Sequence, residues 1–132
     1  MKYLIDTDWI IHHLRGNKLI SDKLEELTPQ GLAISIISLA ELYEGVYNSK
    51  NPGKSQKLLN IFLNSDIEIL GIYDSSICEV FGKEKGRLRK NGELIGDFDL
   101  LIASTALYYE LTLLSNNRKH FERIKGLKII SL

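Results

Sequence analysis

The feature that most constrains this chain is an alternation of short, almost wholly apolar segments with longer segments of helical periodicity. The short segments have strand lengths and are Tyr3–Ile5, Leu32–Ile37, Ile67–Ile72, Leu111–Leu114 and Leu127–Ile130. Strands that lack polar alternation are buried on both faces, as in parallel sheets covered by helices. The sequence therefore predicts an α/β fold, a three-layer sandwich whose parallel sheet of about four to five strands carries helices on both faces.

Between these strands, apolar residues recur at helical spacing. The predicted helices begin near Trp9, Ile20, Ser38, Leu58, Asp74 and Leu100, and the one from Asp74 runs towards Arg89 with Asp74 as its cap. No repeat, linker or biased segment divides the 132 residues. That length suits one core, so we expect a single domain over residues 1–132.

Charge and cysteine content narrow the classes of function. Lys plus Arg number 17 and Asp plus Glu also number 17, so a nucleic-acid partner would need local clusters of positive charge. The single cysteine, Cys78, cannot form an internal disulfide, and we expect it to be a buried small hydrophobe in a reducing, cytoplasmic protein. The apolar start is too short for a signal peptide, and no run approaches the ~20 residues of a membrane span.

Acidic residues follow the predicted strands at the edge where open α/β sheets bind ligands. Asp6 closes the first strand, Glu41 lies one helical turn after the second, and Asp99 lies in the first turn of the Leu100 helix. Asp8 and Asp97 are close to them in sequence. Clustered carboxylates repel one another unless a cation is present, and hard oxygen ligands suit Mg²⁺ or Mn²⁺. This pattern suggests a metal-dependent phosphoryl reaction.

A purely structural interpretation competes with this one. Asp8 and Asp97 could cap the helices that follow them, and Ser38-x-x-Glu41 matches a capping box, in which Glu41 reaches back to the backbone N–H of Ser38. For each of these residues alone, capping is the better explanation. Asp6 differs, because a charge directly after an apolar central strand is costly to bury without a partner. Only the placement of several acids together, at successive strand ends, favours a functional role over capping.

Four sequence segments carry a resemblance to a known family. They read LIDTD at residues 4–8, ISIISLAELYEG at 34–45, IGDFDLLIASTA at 95–106 and LLSNNRKHF at 113–121. In this order they resemble a PIN-domain ribonuclease of the VapC toxin type, over essentially the whole chain. The resemblance implies a PIN fold, a homodimer, and a Mg²⁺- or Mn²⁺-dependent endoribonuclease that a VapB-type antitoxin silences.

The resemblance also assigns site residues by position. Asp6, Glu41 and Asp99 match the metal-binding acids of the family, and Asn117 stands where a fourth family acid is often found. Asp97 is a candidate to supplement the catalytic set, and Asp8 to support it. The chemistry implied is in-line attack of water on an RNA phosphodiester, with Glu41 either binding metal or holding the water as a base.

Hydroxyl and basic side chains are secondary candidates. Thr7, Ser38 and Ser115 could donate hydrogen bonds to the carboxylates or to phosphate, although local backbone bonding is at least as good an explanation. Two groups of basic residues could contact RNA phosphates. The first lies on one helical face and consists of Lys83, Arg87 and Lys90. The second follows Asn117 and consists of Arg118, Lys119, His120 and Arg123. The first group could equally be an ordinary solvated face.

Two other functions compete. Haloacid-dehalogenase-type phosphatases also begin with Asp-x-Asp after their first strand, which would make Asp6 a nucleophile. Ile10 stands where a Thr or Val is usual there, the chain is short, and Glu41 would have no role. The non-enzymatic alternative is a PIN-like module that only binds RNA or protein, and the intact acids at all three main positions argue against it.

Overall fold

Five short strands form one parallel sheet in the computed structural model, which describes residues 1–132. The strands are β1 (Tyr3–Ile5), β2 (Leu32–Ser35), β3 (Ile67–Leu70), β4 (Thr112–Leu114) and β5 (Ile129–Ile130). Their order is β3-β2-β1-β4-β5, so β1 lies at the centre. Every neighbouring pair is parallel.

Seven α-helices connect and cover the strands. They are α1 (Thr7–Leu14), α2 (Lys18–Leu27), α3 (Ile36–Tyr47), α4 (Pro52–Leu63), α5 (Ser75–Lys90), α6 (Asp97–Tyr108) and α7 (Arg118–Phe121). Asp74 caps α5 as predicted, because its side chain accepts a hydrogen bond from the Ser76 backbone N–H at 2.8 Å. The short helix α7 has too few residues to show a helical stripe in the sequence. None of the helices has the length and apolar character needed to cross a membrane.

The sheet separates two hydrophobic cores, and β1 contributes to both. Tyr3 and Ile5 pack on one face with residues of α1 to α4, whereas Leu4 packs on the other with residues of α5 to α7. Adjacent side chains of a strand point to opposite faces, so burial of all three residues requires a layer on each side. The predicted three-layer α/β sandwich is confirmed.

The carboxyl ends of the strands meet at one edge of the sheet. Ile5 pairs with Leu114, and the Asp6 backbone N–H donates to the Leu114 carbonyl at 2.9 Å, one residue beyond β1. Ser115 continues in the same way, donating its N–H to Ile130 in β5 at 3.0 Å. The residues that follow β1 and β4 are therefore fixed by backbone hydrogen bonds, and the start of α3 follows β2 at the same edge.

The predicted boundary between β2 and its helix was wrong. The strand ends at Ser35, and α3 begins at Ile36 rather than at Ser38. Ser35 is the N-cap, and its Oγ accepts from the Ile37 backbone N–H at 3.1 Å. Ser38 is already the third helical residue and is fully buried, so the capping box with Glu41 does not exist.

Three smaller predictions also failed. Asp8 and Asp97 cap no helix, because the N-cap positions belong to Asp6 and Gly96. The Asp6 side chain makes no capping bond, and Gly96 has no side chain to make one. Both acids lie instead in the first turn of their helices, where the helix dipole favours negative charge. Cys78 is exposed on α5 rather than buried, because it does not lie on the apolar stripe that contains Ile77 and Leu88.

Candidate active site

Asp6 is a buried carboxylate at the end of the central strand. The residue is 4% exposed, and Oδ2 accepts a hydrogen bond from Ser115 Oγ at 2.7 Å. Ser115 follows β4, the neighbour of β1, and its Oγ also accepts from the Asn117 backbone N–H at 3.0 Å. The ends of two adjacent strands therefore fix the position of one carboxylate.

Glu41 is bound from α1 rather than from its own helix. Thr7 Oγ1 donates to Glu41 Oε1 at 2.7 Å and lies 3.0 Å from Ser38 Oγ, which is one helical turn before Glu41. Thr7 and Ser38 are both buried, while Glu41 is half-buried. The hydroxyls named by the sequence thus join α1 to α3 and orient Glu41, and its second oxygen, Oε2, accepts no hydrogen bond from the protein.

Asp99 lies in the first turn of α6 and faces the segment that follows β4. Its Oδ2 is 3.2 Å from His120 Nδ1 and 3.4 Å from Asn117 Nδ2. The other oxygen, Oδ1, accepts no hydrogen bond from the protein. The structure therefore brings Asp99 and Asn117 together, and it adds His120, which the sequence placed only among basic residues.

The charges of these acids act on one another. Burial, followed by the charge of Asp8 and then that of Asp99, raises the pKa of Asp6 to about 8, against the lowering effect of the Ser115 bond. Burial also raises the pKa of Glu41, with Asp99 again contributing and the Thr7 bond opposing. Asp6, Glu41 and Asp99 thus form one electrostatic cluster from three separate segments.

Asp8 is held beside this cluster by a residue that sequence reasoning did not single out. Asp8 Oδ2 accepts from the Asn116 backbone N–H at 3.1 Å, and Asn116 Oδ1 accepts from Trp9 Nε1 at 3.0 Å. The Asp8 Oδ1 atom is buried and has no hydrogen-bond partner. A buried carboxylate oxygen without a donor is costly unless a cation or a proton compensates it.

Asp97 is separated from the cluster by its own ion pair. Its Oδ1 is 2.7 Å from Lys85 Nζ, which joins α6 to α5. Asp97 is exposed, whereas Asp99, two residues later on the helix, is half-buried. The structure therefore brings together Asp6, Glu41 and Asp99 of the predicted catalytic set, but pairs Asp97 with a lysine.

The donor set fits a hard divalent cation. Asp6, Glu41 and Asp99 offer carboxylate oxygens from three segments, and Asp8 adds the unpartnered Oδ1. They form no ready-made cage of three or more ligands. Mg²⁺ keeps several waters and is usually held by one or two carboxylates together with substrate phosphates, so an incomplete protein shell suits it.

Most of the predicted phosphate-binding side chains already engage the protein. Arg87 pairs with Glu84 at 2.8 Å and donates to the Arg123 carbonyl at 2.6 Å. Arg118 pairs with Glu122 at 3.3 Å, and Arg123 donates to the Leu94 carbonyl at 3.0 Å. Lys83, Lys90 and Lys119 are exposed and make no ion pair. Their contact with RNA stays a prediction.

The raised pKa of Asp6 predicts how the metal-free protein responds to pH. The unfolded value is 3.8 and the folded value about 8, so this group's contribution to stability is fully present below pH 3.8 and is lost as pH rises through about 8. Asp6→Asn removes the titration. In excess EDTA its melting temperature should exceed that of the wild type by an amount that grows over this range to about 5 °C or more.

Asp66→Asn is the matched control, because Asp66 is exposed and lies outside the cluster. Thermal unfolding of the three proteins between pH 4 and pH 8 measures the difference. An Asp6→Asn advantage that does not change with pH would contradict a strained, buried Asp6 carboxylate.

The chain is similar to known proteins over almost its whole length. The PIN domain family model matches residues 3–127. "Ribonuclease VapC1" of Methanocaldococcus jannaschii is 41% identical over 130 residues, which cover 97% of this chain and 86% of that protein. "Ribonuclease VapC2" of Rickettsia felis is 37% identical over 129 residues, covering 96% and 95%.

One chain in each of two solved toxin–antitoxin complexes is similar to this chain over almost its whole length. VapBC2 from Rickettsia felis, bound to a DNA fragment from its promoter, matches with a TM-score of 0.93 and 35% identity, covering 100% of this chain and 99% of that chain. DNA-bound VapBC from Salmonella typhimurium matches with a TM-score of 0.90 and 29% identity, covering 99% and 98%.

Proposed function

The chain belongs to the PIN-domain family, and we propose that it is an endoribonuclease toxin of the VapC type, neutralised by a VapB-type antitoxin. One observation carries the proposal: Asp6, Glu41 and Asp99 converge from three segments at the carboxyl edge of the sheet, in a chain similar throughout to VapC ribonucleases. Family membership leaves no support for the phosphatase alternative with Asp6 as nucleophile.

We further propose Mg²⁺ or Mn²⁺ as the cofactor, held by Asp6, Asp99 and Glu41 with Asp8 in support. When bound, such an ion neutralises phosphate charge and stabilises the attacking and leaving oxygens of the phosphodiester. The protein's own part is to hold the acids in place: Ser115 fixes Asp6, and Thr7 fixes Glu41.

We propose that Glu41 either binds the metal or takes a proton from the attacking water, and its contacts support the role of base. Its Oε1 is occupied by the Thr7 hydroxyl, whereas Oε2 accepts no bond from the protein and is free to receive the proton of an attacking water. Burial raises the pKa of Glu41, which makes it a better base than an exposed glutamate. The attack forms a bond from the water oxygen to phosphorus and breaks the bond from phosphorus to the leaving oxygen of the RNA, which takes up a proton from solvent.

The test is direct cleavage of a short RNA by the purified chain. We expect internal cleavage of an RNA oligonucleotide in Mg²⁺ or Mn²⁺, and no cleavage once the cognate antitoxin is added. Asp6→Asn, purified in parallel, controls for contaminating nuclease. Binding of RNA without any cleavage under these conditions would instead support the non-catalytic module.

Glu41→Gln should separate chemistry from architecture. A glutamine Oε1 still accepts the Thr7 bond, so the folded protein should melt at or above the wild-type temperature. The amide cannot accept the proton or bind a cation as a carboxylate does, so RNA turnover should fall by about a hundredfold or more. Glu44→Gln, an exposed position on the same helix, should cut at the wild-type rate. Near-normal turnover by Glu41→Gln would make Glu41 a structural link to Thr7 only.

An apolar cleft beside the site suits the antitoxin. It measures about 250 Å³, lies between α1, α3 and α4, and is lined by Leu14, Leu42, Val46 and Leu58 together with Glu41. A partner segment that buried apolar side chains here would lie next to one of the catalytic acids. We propose that the antitoxin occupies this cleft and thereby blocks the site.

Gly45→Leu should weaken this inhibition. Gly45 lines the cleft, and a Cβ there would meet no atom within 4 Å, so a side chain can be added at the cleft wall without a clash at its first carbon. The overlap with the antitoxin should raise its inhibitory concentration about tenfold or more. Gly82→Leu, an equally open helical position on α5, is the control. Unchanged inhibition of Gly45→Leu would place the antitoxin elsewhere.

The homodimer implied by the resemblance, and a cytoplasmic location, stay predictions. Sedimentation equilibrium of the chain without antitoxin should give twice the 15.0 kDa mass of one chain.

A further inference from the structure

His120 lies against the Asp99 carboxylate. The sequence alone assigns it no role in metal binding. It is the third residue of α7, and its Nδ1 lies 3.2 Å from Asp99 Oδ2. The His120 side chain is 42% exposed and that of Asp99 is 27% exposed. The imidazole thus covers one oxygen of the carboxylate at the edge of the site, and Oδ1 is left without a protein donor.

The contact decides which ring nitrogen carries hydrogen. A lone pair on Nδ1 would face a carboxylate oxygen at 3.2 Å, which is repulsive, whereas an Nδ1–H donates to it. The end of the Asn117 amide lies 3.0 Å from the same Nδ1 and 3.4 Å from Asp99 Oδ2. As placed, the amide nitrogen faces Nδ1, so a hydrogen on Nδ1 requires the amide turned by 180°, with Asn117 Oδ1 accepting from His120 and His120 donating to Asp99 Oδ2.

We propose that His120 is a positioning residue for Asp99. Its Nδ1–H holds Oδ2, so that Oδ1 is presented to the divalent cation of the proposed function, on which this inference rests. Groups that hydrogen-bond a metal ligand fix its orientation, and their loss typically costs about 10–100-fold in metal affinity. His120 therefore acts through Asp99 and not on RNA.

Metal affinity measured without RNA tests this inference. The melting temperature is followed against Mg²⁺ concentration for the wild type, His120→Ala, His120→Asn and His120→Gln. The alanine variant should need about tenfold more Mg²⁺ to reach the same rise in melting temperature. Asparagine places its amide nitrogen close to the position of Nδ1 and should restore near wild-type affinity. Glutamine extends to the position of Nε2 and should not.

A second measurement separates positioning from substrate contact. Binding of a short RNA in excess EDTA should be the same for His120→Ala and the wild type, within about twofold. Loss of RNA binding under these conditions would overturn the inference, because it would place His120 on the substrate. So would wild-type Mg²⁺ affinity in His120→Ala, or asparagine that rescues no better than glutamine. A wild-type chain with no response to Mg²⁺ would overturn both the inference and the proposed cofactor, whereas the other outcomes leave the proposed function intact.

Discussion

Asp99→Asn should leave a folded protein that cleaves RNA about a thousandfold more slowly than the wild type. The amide retains the shape of the carboxylate but loses the charge that would hold a cation beside the phosphate. Asp99 is half-buried, and an asparagine oxygen can still accept the hydrogen bond from His120 Nδ1, so the fold should be retained. Where expression of the wild type arrests bacterial growth, this variant should relieve the arrest.

Asp97→Asn is the matched comparison for that variant. The two acids are both in the first turn of α6, but Asp97 pairs with Lys85 at 2.7 Å, whereas the charge of Asp99 acts on the pKa of Asp6 and of Glu41. Asp97→Asn should therefore reduce cleavage by less than about tenfold. Initial rates on one RNA, with melting temperatures of the same preparations, measure both effects. Growth arrest by well-expressed Asp99→Asn would remove Asp99 from the site.

The sheet could be predicted because its signal is local and redundant. Most strands are short apolar runs next to a turn or a polar residue, and a parallel sheet covered on both faces explains them at once. The edge strand β3 departs from this pattern, because Glu68 and Ile69 are exposed. The meeting of Asp6 and Ser115 followed from the same rule, since the residues after Ile5 and Leu114 lie side by side when those two strands pair in parallel.

The details of the site could not be predicted because they depend on contacts between distant residues. Glu41 fits a capping box in the sequence, and only the packing of α1 against α3 shows that Thr7, 34 positions earlier, is its partner. The apolar run through Ile37 likewise hid the true helix start, since β-branched residues suit a strand as well as the first turn of a buried helix. His120 appeared basic in sequence, but the short helix α7 places it against an acid.

Removal of divalent metal should abolish RNA cleavage, and Mg²⁺ or Mn²⁺ should restore it. In the metal-free chain the Asp6 carboxyl has a pKa of about 8 and is largely protonated at neutral pH. A cation that binds Asp6 must therefore displace this proton, so metal binding competes with protonation. Metal affinity, and with it cleavage at low Mg²⁺, should therefore rise between pH 6 and pH 8. Cleavage at saturating Mg²⁺ should be much less sensitive to that change.

Metal binding should also raise the stability of the folded chain. An ion that binds only the folded chain stabilises it by about 2.7 kcal/mol at a concentration a hundred times its Kd, which should raise the melting temperature by several degrees. Asp99→Asn lacks one of the proposed ligands and should show a smaller shift at the same Mg²⁺ concentration, although its metal-free fold is intact.

RNA cleavage at full rate in excess EDTA, by protein whose Asp6→Asn counterpart is inactive, would show that the carboxylates work without a metal. The acids of the cluster would then have to act by proton transfer alone, with Glu41 as the base and protonated Asp6 as the acid.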